Sequence, residues 1–155
     1  MKSEKNKIFI TGIGIISSLG IGIQENLIRL TEGKSGIGPI RHLKTRLSNE
    51  LIAGEIPYSD KELIDVLGIK DKNGISRSAL LGIIAAREAI KNTDFNNSAV
   101  RTGIISGTTA EAMTNIEFYF KDFLSNNNRN EFIESQDWGF STEIIAKEIL
   151  DYLKV

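Results

Sequence analysis

The sequence predicts an α/β protein of layered build with mainly parallel core strands. Two runs rich in β-branched residues, KIFITGIGII at 7–16 and TGIIS at 102–106, are apolar on both faces, as strands covered on both sides are. Other segments carry apolar residues at helical spacing. Strand-like and helix-like segments alternate along the chain, which in a compact domain means a parallel sheet with right-handed crossovers.

Taken in order, the run 7–16 is expected to form a central strand. After Gly22, the residues Ile23, Leu27 and Leu30 recur as one helical stripe, and Gly33 is placed to stop that helix in a left-handed conformation. Gly36, Gly38 and Pro39 make a loop, and 50–56 suits a short strand. Ser59 with Glu62 three positions on forms a capping box ahead of Leu63, Val66 and Leu67, and Gly68 ends that helix. The next helix, 76–91, has no charge from Ala79 to Ala86. Its small residues Gly82, Ala85, Ala86 and Ala89 permit close packing, so it should be buried. After the second strand, Thr108 and Glu111 make another capping box for a helix bearing Met113, Ile116, Phe120 and Leu124. The polar stretch SNNNRN opens a flexible loop near 125–140, and Ser141 caps a final helix with Ile145, Ile149 and Leu153. No internal repeat is present, and 1–155 reads as a single partial domain.

Composition narrows the function classes. With 41% apolar and 25% charged residues, the 155-residue chain matches ordinary globular usage. Its net charge of -1 gives no broad positive field, so no nucleic-acid partner is expected. The absence of cysteine excludes disulfides and thiolate metal sites. A lone histidine, His42, cannot assemble a zinc site, so no metal is expected. The basic start MKSEKNK before an apolar run invites comparison with a secretory signal. Gly12, Gly14, Gly20 and Gly22 interrupt that run, and no small-x-small cleavage site follows it. No stretch reaches membrane-spanning length, so a cytoplasmic location without a membrane partner is expected.

Gly12 and Gly14 also suggest a dinucleotide-binding turn, in which backbone amides at a helix start hold a pyrophosphate. The fingerprint then needs glycine at 17, where Ser17 stands, and the helix begins only near Gly22. A small nucleotide-binding α/β domain is therefore a third-ranked reading. Glycines that let a strand turn and pack closely are the simpler account.

Four segments in order, TGIGIISSLG (11–20), EGKSGIGPI (32–40), SRSALLGIIAAREAI (76–90) and RTGIISGTT (101–109), resemble the N-terminal part of the β-ketoacyl-acyl-carrier-protein synthases, the condensing-enzyme branch of the thiolase fold. The resemblance implies the incomplete N-terminal half of a thiolase-like layered αβαβα fold. It implies decarboxylative condensation of acyl and malonyl thioesters in fatty-acid or polyketide synthesis once the enzyme is complete. The implied partners are an acyl carrier protein with phosphopantetheine-bound acyl chains and a second copy of the chain, with no cofactor. By the same resemblance, the turn after strand 102–106 lies against the acyl chain, which makes Thr108, Thr109 and Ala110 pocket candidates. An ordinary capped helix start is the competing account of the same residues. The chain departs from the family at Ser18, where proline is usual and serine can offer an ST-turn. It departs again at Glu111 and Ala112, where glycines are frequent. Arg77 and Arg87 are possible contacts for an acidic carrier, although solvated helix charges are the expected reading.

The chemistry of condensation needs a thiolate to hold the acyl group and donors for an enolate oxygen. Without a cysteine, the expectation is no catalytic residue here and no activity from this chain alone. His42 lies in RHLKTR, outside the four segments, and reads as a surface residue. The family's cysteine follows the helix that 141–153 resembles, so truncation is expected over a noncatalytic partner or scaffold of the same fold. Uncovered core surface should make such a piece self-associate.

Overall fold

The computed structural model describes residues 7–69, 75–91, 101–108, 117, 120, 124 and 141–153. The elements are β1 (Ile16–Ser17), β2 (Gly20–Ile21), α1 (Gly22–Thr31), β3 (Gly38–Pro39), β4 (Ile52–Ala53), α2 (Asp60–Leu67), α3 (Arg77–Ile90) and α4 (Ser141–Leu153). Both two-stranded sheets are antiparallel: β1 pairs with β2, and β3 with β4 in the register Gly38↔Ala53 and Pro39↔Ile52. Helices with small sheets are compatible with an α/β fragment. The expected parallel layered core is not seen among the described residues.

Local signals act as expected. Ser59 and Glu62 make both arms of the capping box at the start of α2. The Ser59 hydroxyl and backbone N–H hold the Glu62 carboxyl below its ordinary range. Both predicted glycine stops adopt left-handed φ, +67° at Gly33 and at Gly68. Each sits in a six-to-one, five-to-two pattern of backbone bonds: Lys34 to Arg29 and Gly33 to Leu30, then Ile69 to Ile64 and Gly68 to Asp65. The Ser76 hydroxyl accepts from the Ala79 N–H and caps α3.

Three helices close the core. Leu63 and Leu67 of α2, Leu80, Ile83 and Ile84 of α3, and Ile145 and Ile149 of α4 form one buried cluster. The small residues of α3 set its packing distances. A Cβ on Gly82 would come within 2.6 Å of Ile145 Cδ1, so α4 approaches through the gap that glycine leaves. The chain before β1 lies over another part of α3. A Cβ on Gly12 would fall 1.8 Å from the Ala89 carbonyl oxygen, and one on Gly14 would fall 1.8 Å from that of Ala85. Two residues of extended chain span about 6.6 Å and one helical turn about 5.4 Å, so alternate ribbon residues meet successive turns of the helix.

That ribbon corrects the expected strand 7–16. Only Ile16–Ser17 is a strand, and it folds back on Gly20–Ile21; Ile8, Phe9 and Ile10 are exposed. A strand exists only when a neighbouring strand takes its backbone bonds, and among the described residues no strand flanks 7–15, which lies against helix α3. Segment 102–106 differs from its expected strand for the same reason: Ile104 and Ile105 are exposed and unpaired by any strand. The left-handed glycines Gly20 and Gly22, at φ +140° and +85°, turn the hairpin into α1. The ST-turn belongs to Ser17, whose hydroxyl accepts from the Leu19 N–H, and not to Ser18. Ser18 instead packs against Gly36 and Gly54.

Helix α1 also presents a face other than the one its pattern suggests. Asn26 is its one buried residue, while Ile23, Leu27 and Leu30 are exposed. The Asn26 amide donates to the Gly20 and Gly22 carbonyls and accepts from the Ser17 hydroxyl, which fastens the hairpin to the helix. Beyond α3, Glu117, Phe120 and Leu124 are helical, as expected. Met113, Ile116, the Glu111 cap and the expected loop at 125–140 lie outside the described residues.

Gly14→Ala should destabilise the protein by about 1–3 kcal/mol, because the new methyl meets a backbone oxygen that cannot move aside. Gly38→Ala, with nothing within 4 Å of its added Cβ, should change stability by less than about 0.5 kcal/mol. Urea midpoints of the two variants provide the comparison.

Candidate functional site

The structure places only one of the three predicted pocket residues. Thr108 is exposed at the end of 101–108, a segment with no regular structure, and Thr109 and Ala110 lie outside the described residues. Thr108 lines neither the cleft between Ile21 and Lys34 nor the groove around Ile40 and Ile56.

The glycine turn is filled from within the chain. The Glu88 carboxylate accepts from the Ile15 N–H at 2.9 Å and from the Ile23 N–H at 2.7 Å, so it sits at the first turn of α1. Glu25 accepts from the Ile21 N–H at 2.9 Å and pairs with Arg29. Gly12 and Gly14 face the carbonyl oxygens of Ala89 and Ala85, which repel an anion. A pyrophosphate bound there would have to displace a built-in carboxylate and approach two carbonyls. The geometry therefore opposes a dinucleotide at this turn.

The two arginines expected as solvated helix charges are internal ties. Arg77 bonds Asp60 at 2.6 Å and the Ile56 and Tyr58 carbonyls, which fixes the turn into α2. Arg87 donates to the Leu67 carbonyl at 2.7 Å, pairs with Glu148 of α4 at 3.3 Å and lies over the Tyr152 ring. It joins the end of α2 to α4 from the last turn of α3. Both arginines are mostly covered, with side-chain exposures of 28% and 20%.

A second built arrangement surrounds β3 and β4. Ile40, Leu43, Ala53 and Ile56 line a shallow groove that Glu55 and Arg77 close at its polar end. Glu55 accepts from three successive backbone amides, Arg41 at 2.7 Å, His42 at 3.0 Å and Leu43 at 2.7 Å. Burial pushes the Glu55 carboxyl up, and the three amides together with nearby His42 outweigh it, so the group titrates below its ordinary 4.5. His42 is half-buried and not a free surface residue, with its backbone held by Glu55. Sequence reasoning missed Glu55, Glu88 and Asn26.

Among the described residues, no group of three or more His, Cys, Asp or Glu side chains is placed to hold a metal ion, and no helix is long and apolar enough to cross a membrane. Among the described residues, the arrangement anchors loops and joins helices.

Because the folded Glu55 binds its proton more weakly than the unfolded one, its contribution to stability is present above pH 4.5 and is lost as pH falls through the folded value. Glu55→Gln should remove that part of the acid sensitivity. Amide chemical shifts of residues 41–43, followed from neutral to acid pH, should move with the Glu55 titration in the parent and stay flat in the variant.

Comparison with known proteins adds what this geometry leaves open. The model of the β-ketoacyl synthase N-terminal domain matches residues 5–149. The 3-oxoacyl-[acyl-carrier-protein] synthase 2 of Staphylococcus aureus strain COL is 29% identical over 125 residues, covering 79% of this chain and 30% of that protein. The 3-oxoacyl-[acyl-carrier-protein] synthase 1 of Buchnera aphidicola from Acyrthosiphon pisum is 30% identical over 106 residues, covering 66% of this chain and 25% of that protein. The chain thus spans about a third or less of the length of the curated relatives it matches. With the family model covering almost the whole sequence, the chain belongs to the β-ketoacyl synthase N-terminal domain family.

Proposed function

We propose that these residues are the N-terminal portion of a 3-oxoacyl-[acyl-carrier-protein] synthase, a cytoplasmic acyltransferase of fatty-acid or polyketide synthesis. The observation that carries the reading is the family match over 5–149, whose matched relatives bear that name. In the complete enzyme, a thiolate takes the acyl group from one carrier, with departure of the carrier thiol. Loss of carbon dioxide from a malonyl thioester then gives an enolate whose carbon attacks the acyl carbonyl, expelling the thiolate and leaving a 3-oxoacyl carrier. This chain contains no cysteine, so that thiolate comes from outside these 155 residues.

The part assigned to this chain is scaffold and pocket wall. The ribbon 7–15 and segment 102–106 supply strands of a layered thiolase-like fold once their neighbours are in place. Thr108, Thr109 and Ala110 line the acyl pocket at the following turn. Exposed Ile8, Phe9, Ile10 and Ile105 favour self-association of the isolated chain, in keeping with a homodimeric assembly.

The 155-residue chain, mixed with acyl and malonyl carriers, should release no carbon dioxide and show no covalent acyl adduct by intact mass. Carbon–carbon bond formation by this chain alone overturns the reading. Sequencing past the codon for Val155 supplies the second arm. A strand running into a cysteine supports the synthase, whereas a frame without cysteine favours a noncatalytic partner of the same fold.

A further inference from the structure

We infer that α4 is a detachable cover on α3, closed by a clasp at Arg87, and that the chain opens there while α2 and α3 stay together. Among its described residues, α4 commits Ile145 and Ile149 to the buried cluster and leaves Leu150 and Tyr152 exposed at 50% and 43%. Helix α3 commits Ala79, Leu80, Ile83 and Ile84, all buried. Buried apolar area sets how firmly an element is held, so α4 has the weaker hold of the two.

The polar ties divide unevenly in the same sense. On the α2 side, Arg77 bonds Asp60 at 2.6 Å and the Ile56 and Tyr58 carbonyls, and Arg87 donates to the Leu67 carbonyl at 2.7 Å. On the α4 side, Glu148 meets Arg87 through one nitrogen at 3.3 Å, and the guanidinium lies 5.0 Å from the centroid of the Tyr152 ring. The Arg87 Nε is buried with no hydrogen-bond partner among the described residues, so the pair lacks the two parallel bonds that make an arginine–carboxylate contact strong. On opening, Arg87 keeps Leu67 and releases Glu148, and Ile145 leaves the gap over Gly82. A 13-residue helix is marginal by itself in water, so α4 melts as it departs.

Native-state hydrogen exchange of the 155-residue chain reads the opening directly. Amides of Ile145 to Ile149 should exchange at least about tenfold faster than those of Leu80 to Ile84, with a shallower dependence on urea, because a local opening exposes less surface than global unfolding. Glu148→Gln, which weakens the clasp, should speed exchange in α4 by about three- to tenfold more. Arg77→Met cuts a tie that the open form retains, so it should speed exchange in α3 and leave that in α4 within about twofold of the parent. If Arg77→Met fails to fold by circular dichroism, the parent and Glu148→Gln decide. Equal protection and equal urea dependence in the two helices, no response of α4 to Glu148→Gln, or equal losses of protection in α3 and α4 of a folded Arg77→Met overturns the inference. The synthase reading is untouched by any of these outcomes, because condensation and the downstream cysteine decide it.

Discussion

The close approach of ribbon 12–14 to α3 is the constraint on which the other contacts depend. A backbone oxygen sits where each glycine's side chain would be, at Ala89 and at Ala85, so the ribbon meets the helix main chain to main chain. With the ribbon at that depth, the Ile15 amide reaches Glu88, and the same carboxylate reaches Ile23 at the start of α1. The other side of α3 obeys the same economy of bulk, since Gly82 admits Ile145 of α4. Helix α3 is a hub because three of its positions offer backbone instead of side chain to their neighbours.

Carboxylates take over where strand pairing does not reach. Glu25, Glu55 and Glu88 bind the amides of Ile21, of Arg41 to Leu43, and of Ile15 and Ile23, all in stretches with little or no sheet. Backbone N–H groups left without a partner are costly when shielded from water, and an ionised carboxylate is a strong acceptor for them. The same economy sets the Glu88 carboxylate on the amides of Ile15 and Ile23, beside the glycine turn. Its charge complement is already supplied from α3.

The sequence carried the helix termini well because their signals are local. Ser59 with Glu62, Ser76, Gly33 and Gly68 each act within four or five residues of themselves, and each appears in the structure where its pattern points. Strands at 7–16 and 102–106 depend on remote neighbours, which a period-two or all-apolar run cannot name. Helix α1 shows a further limit. Its stripe of Ile23, Leu27 and Leu30 is amphipathic, yet a single amide, Asn26, chooses the packed face because it can bond both ends of the hairpin. Arg77 and Arg87 were illegible as ties, since the carbonyls they cap lie about twenty residues away. Of the predicted pocket, Thr108 is exposed and its two neighbours lie outside the described residues.

The oxygens that face Gly12 and Gly14 belong to the main chain of α3, and no exchange of amino acid at Ala85 or Ala89 can shorten them. A methyl gained on the ribbon therefore has no genetic remedy on the opposing surface. It is tolerated only if the whole ribbon slides outward and gives up the Glu88 bridge. Across a diverging lineage, these two sites should resist drift without any covarying partner, a signature opposite to that of interlocking side chains.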